Sequence, residues 1–133
     1  MDAERLRKIR RIQRVQEDLH RLAEWRLSVL AREERVLAER QEALIASLNE
    51  DDVLHGLFVE AMARRLKTLA GEAERLRAAQ EVQTERVLDE ARRLKRAERM
   101  GDRAAADHRR GSEKRDLAAL IEALAARPEP GRP

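Results

Sequence analysis

From Asp2 to Leu48 the chain runs 47 residues without a glycine or a proline, and a stretch of that length with no backbone breaker has one regular form open to it, a long α-helix. Its apolar residues fall three or four apart, at Ile12, Val15, Leu19, Leu22, Leu30, Leu37, Leu44 and Leu48, with Arg26, Glu33 and Arg40 completing the row. That row takes ten steps over 36 residues. The mean of 3.6 predicts a nearly straight helix, in which the steps 26 to 30 and 44 to 48 act as stutters in a 3,4 pattern. Val29, Val36 and Ala43 stand one residue to the side and widen the stripe enough to accept a third helix or a partner.

The sequence SLNEDDVLHG, residues 47–56, interrupts this helix with turn and capping residues (Asn49, Asp51, Asp52) and Gly56. It predicts a tip over about 49–56. A heptad row follows, through Val59, Met62, Leu66, Leu69, Ala73, Leu76, Gln80, Gln83, Val87, Glu90, Leu94 and Ala97. Its polar members Gln80, Gln83 and Glu90 are expected to fix register rather than add stability. Gly101 loosens the pattern and Gly111-Ser112 is expected to end the second helix near 110, with Ser112 capping a short amphipathic helix over about 112–127. PEPGRP, residues 128–133, reads as a disordered tail. Short connections make neighbouring helices antiparallel. The expected fold class is therefore all-α, a long antiparallel two-helix coiled-coil hairpin with a short C-terminal helical segment, forming a single domain over 1–127.

Composition agrees: Ala, Leu, Glu, Arg and Lys supply 87 of the 133 residues, well above the roughly one-half that marks long helices and coiled coils. Trp25 and Phe58 are the only aromatic residues, so the anchors that line most ligand pockets are nearly missing. Cysteine is absent, which excludes disulfides and thiolate metal clusters. No Walker-type loop, dinucleotide-binding glycine motif or Ser/His/Asp grouping occurs, and no enzymatic activity or cofactor is expected. Glu17-x-x-His20 has the helical spacing used in di-iron bundles, but its single echo, Asp52-x-x-His55, lies 35 residues on, or roughly 50 Å along a helix. No metal site is expected. The basic start lacks the asparagine of zipper-type DNA readers, so no specific nucleic acid is expected. No apolar run reaches the roughly 18 residues of a membrane span, and MDAERLRKIRR lacks the apolar core of a secretory signal. These features predict a cytoplasmic chain without direct membrane insertion.

Charge is unevenly laid out. Residues 1–15 carry six basic against two acidic residues, and 92–115 carry ten against four. Between Gln41 and Ala63 there is no Lys or Arg and five carboxylates. Pairing the helices antiparallel brings the two basic segments together and leaves the tip acidic. The basic end bears Arg7, Arg10, Arg11, Arg14, Arg92, Arg93 and Arg96, and guanidinium groups suit bidentate contact with carboxylates.

The stretch LRKIRRIQRVQEDLHRLAEWRL (residues 6–27), together with HRRGSEKRDLAAL (residues 108–120), resembles the ends of the FliJ family of flagellar export proteins and its injectisome counterparts. The resemblance implies a non-enzymatic component of a type III export apparatus, peripheral to the inner membrane. In that family a stalk-like hairpin enters the ring of the export ATPase hexamer and regulates it. Another surface meets the membrane export gate, and some members handle substrate chaperones. On this reading the seven arginines above are the candidate ATPase contacts. Phe58 and Met62, one turn apart at the start of the second helix, are the candidate export-gate contacts. The alternative is a generic coiled-coil scaffold or adaptor that dimerises through the wide stripe of the first helix.

Overall fold

The computed structural model describes residues 2–50 and 57–127, and these form two helices, α1 (Asp2–Glu50) and α2 (Leu57–Ala125). The expected tip falls largely, and the tail wholly, outside the described residues. The fold is all-α, an antiparallel pair of long helices. Packing divides it into unit 1, residues 1–17 with 92–133, and unit 2, residues 18–91.

In unit 1 the start of α1 lies against the second half of α2. Leu6, Ile9 and Ala104 form a buried cluster that Ala105 flanks. The helices approach closely at Gly101, where an added Cβ would stand 2.8 Å from Oε1 of Gln13. Arg5 pairs with Asp107 at 3.9 Å, and a Cβ on Gly111 would meet Oδ2 of Asp2 at 2.9 Å. Rising numbers on α1 thus meet falling numbers on α2. The expected break at Gly111-Ser112 is absent, because α2 runs unbroken to Ala125 and residues 112–125 are its continuation. A glycine inside a helix costs about 1 kcal/mol relative to alanine. At Gly101 the missing side chain leaves the space that the Gln13 side chain of α1 fills. Beyond Ser112 every residue to Arg127 is exposed, including Leu117, Leu120, Ile121 and Leu124.

In unit 2 the same antiparallel pairing is fixed by a buried hydrogen bond. Nε2 of Gln83 donates to the carbonyl oxygen of Ala23 at 3.0 Å, and further along Arg77 forms an ion pair with Glu34 at 3.7 Å. Ala23, Leu37, Leu69 and Ala73 are buried in unit 2. Gln83 is the one buried polar residue among the described residues, and its side-chain amide holds one register of α2 against α1, as polar seam residues do.

The α2 row is buried or half-buried as expected from Met62 to Ala97, and it continues through Gly101, Ala104, His108 and Gly111; Val59 is exposed. The α1 row needs correction before Leu27, and beyond it at Glu33 and Arg40, whose places in the seam Glu34 and Gln41 take. Its inward positions are 2, 6, 9, 13, 16, 20, 23, 27, 30, 34, 37, 41, 44 and 48, an unbroken 3,4 alternation without stutters. Such a strict heptad favours supercoiling over a straight helix. Ile12, Val15, Leu19 and Leu22, expected in the seam, are exposed, as are Arg26, Glu33 and Arg40. A continuous helix has one phase, and Leu6 and Ile9 on one side and Leu27 to Leu48 on the other set it. Gln13, Gln16, His20 and Ala23 consequently face α2, and the larger apolar side chains form an outer row one residue ahead of the seam.

Gly71 offers a clean stability test. The nearest atom to a Cβ added there is Nη1 of Arg75, at 3.9 Å, so alanine fits without displacement. Gly71→Ala is expected to raise the unfolding free energy by about 1 kcal/mol, read as a higher urea midpoint at unchanged m-value.

Candidate functional site: a basic helical unit

Both basic segments fall in the same unit. Unit 1 contains 18 basic and 10 acidic residues, a net of +8, and unit 2 contains 11 and 16, a net of −5. All seven candidate arginines, Arg7, Arg10, Arg11, Arg14, Arg92, Arg93 and Arg96, lie in unit 1 and all are exposed. Local carboxylates occupy other cations: Lys8 pairs with Glu4 at 3.7 Å, and Asp107 meets Arg110 at 2.6 Å as well as Arg5. Arg92 and Arg93 are engaged within the protein. Arg7, Arg10, Arg11, Arg14 and Arg96 make no ion pair among the described residues.

The seven do not form one patch. Arg7, Arg10 and Arg14 each follow a seam position of α1 by one residue, whereas Arg93 and Arg96 each precede a seam position of α2 by one. In an antiparallel pair the residues preceding the seam on one helix flank those preceding it on the other. The two arginine sets therefore stand on opposite flanks of the seam, and Arg5 and Lys8 share the flank of Arg93 and Arg96. The arrangement presents cationic groups around the helix pair, which suits insertion among several carboxylate-bearing surfaces better than docking on one flat face. The sequence alone does not reveal this, because its larger apolar residues from Ile12 to Leu22 point to the outer row as the seam.

Phe58 and Met62 belong to unit 2, where Phe58 is exposed and Met62 half-buried. His20, on the inward face, pairs with Glu24 at 3.1 Å rather than with Glu17, and His55 lies outside the described residues. Among the described residues no group of three or more His, Cys, Asp or Glu side chains gathers as a metal site, and no helix is long and apolar enough to cross a membrane. No family model, curated protein or solved structure matches the chain.

Proposed function

We propose that this protein is a non-enzymatic regulator of a type III export ATPase, binding the ATPase ring through unit 1 and linking it to the export gate. The observation that carries the reading is the gathering of both arginine-rich segments into one unit of net charge +8. Exposed guanidiniums there, such as those of Arg7, Arg10, Arg11, Arg14 and Arg96, suit charge-assisted bonds to carboxylates lining a ring. Phe58 and Met62 would serve the gate contact from unit 2, and substrate chaperones are a further class of partner. In this role the protein works in the cytoplasm at the inner-membrane export apparatus.

ATP hydrolysis by the export ATPase of the same genome, titrated with this chain at fixed ionic strength, tests the proposal. Stimulation is expected to saturate near one chain per ring. A helical chain that leaves an assembled ATPase unchanged would refute it. The exposed outer row of α1 favours a second reading, a coiled-coil scaffold that dimerises. That reading requires mass and helicity to rise with concentration.

A further inference from the structure

We propose that unit 2 carries a docking groove for an acidic amphipathic α-helix. The groove runs along the flank of the seam on which the outer row of α1 lies, and it stands independently of the export reading.

Within unit 2 that row places Leu19, Leu22, Val29 and Val36 at heptad-compatible positions. Leu19, Leu22 and Val36 are more than a third exposed and Val29 is half-buried. Trp25, 59 % exposed, stands beside them. The facing side of α2 contributes Leu76, Ala79 and Val82. Trp25, Val29, Val36, Leu76, Ala79 and Val82 line two adjoining grooves of about 600 and 550 Å³ that share Val29, and Leu19 and Leu22 continue the exposed row beyond them. Apolar residues repeating with a heptad period match the knobs of another helix and not an extended peptide, whose side chains repeat every two residues. From Leu19 to Val36 the row rises roughly 26 Å, so the occupant needs about 18 helical residues.

The rim supplies the sign of the partner. Arg32, Arg40 and Arg75 border the first groove and Arg26 and Arg86 the second, against Glu33 and Glu72. None of the five guanidiniums makes an ion pair among the described residues. A local surplus of three positive charges thus sits in a unit whose net charge is −5. Complementary charge on the flanks of an incoming helix selects its partner and orientation. A second copy seated face to face would set one arginine surplus against the other. A helix with Leu or Ile in its seam and Glu or Asp on its flanks satisfies both the apolar floor and the cationic rim.

Trp25 is the sole tryptophan and lines the groove, so its emission reports occupancy directly. The full chain is titrated with two synthetic 18-residue helical peptides that share one Leu/Ile heptad row, one flanked by Glu and the other by Lys. The Glu peptide is expected to shift Trp25 emission to the blue and to bind at least tenfold more tightly at low salt. Arg32→Glu with Arg75→Glu is expected to remove that preference, and Leu22→Ser with Val36→Ser to weaken the Glu peptide at least tenfold. All four positions are exposed or lie on the rim, and circular dichroism checks that the variants keep their helicity. Equal binding of the two peptides, or no emission shift with either, overturns the proposal. So does a blue shift that grows with protein concentration in the absence of peptide, which assigns the groove to a second copy.

Discussion

Leu37→Ala is expected to lower the unfolding free energy by about 3 kcal/mol, and Val36→Ala, one residue away, by less than about 1 kcal/mol. Leu37 is 6 % exposed and faces α2, whereas Val36 is 45 % exposed on the outer row. Truncating a buried leucine removes its transfer free energy and leaves a cavity, a cost of roughly 2–5 kcal/mol. An exposed valine loses only part of a smaller burial. Urea unfolding followed by circular dichroism gives both numbers. Similar losses at the two sites would mean that the outer row is packed, and would contradict the heptad phase that puts Leu37 inward and Val36 outward.

Reversing Arg10, Arg11 and Arg14 to Glu carries the second large effect. It takes the net charge of unit 1 from +8 to +2 while changing only exposed side chains that make no ion pair among the described residues. Stimulation of the export ATPase is expected to need at least tenfold more protein, with most of the loss in the association rate, since exposed charges act chiefly through steering. Adding salt is expected to narrow the gap between the two proteins, because surface charges are screened within about 8–10 Å at physiological ionic strength. Binding kinetics at two salt concentrations check both statements. An unchanged association rate at low salt would detach the arginines from the ATPase.

Most of the fold was legible because it depends on period and breakers. The absence of Gly and Pro over 2–48 dictates α1, and the seam of α2 from Met62 to Ala97 can be read directly because its apolar residues lie on one phase. Two features were not legible, for different physical reasons. In α1 the largest side chains between residues 12 and 22 lie on the outer row, so a reading that follows size joins that row to the true seam and needs a stutter to do so. In α2, Gly101 and Gly111 looked like terminators, but packing against Ile9, Gln13 and Asp2 carries the helix through them. Tertiary contact overrides a propensity of about 1 kcal/mol. Charge segregation was visible in the sequence. The division of the arginines between two flanks depends on the phase of α1 and emerges only with it.

The antiparallel pairing also sets an order of assembly. Arg77 meets Glu34 across 43 residues of chain, while Arg5 meets Asp107 across 102. Closure entropy grows as about (3/2)RT ln n, so the shorter loop closes first with an advantage of roughly 0.8 kcal/mol, close to fourfold in probability. Once it has closed, each further turn needs only its own residues ordered, and α1 and α2 are expected to pair in unit 2 before they pair in unit 1. On that order, amide hydrogen exchange is expected to be faster in the helical residues of unit 1 than around Ala23 and Gln83, whose hydrogen bond holds the seam of unit 2 in register.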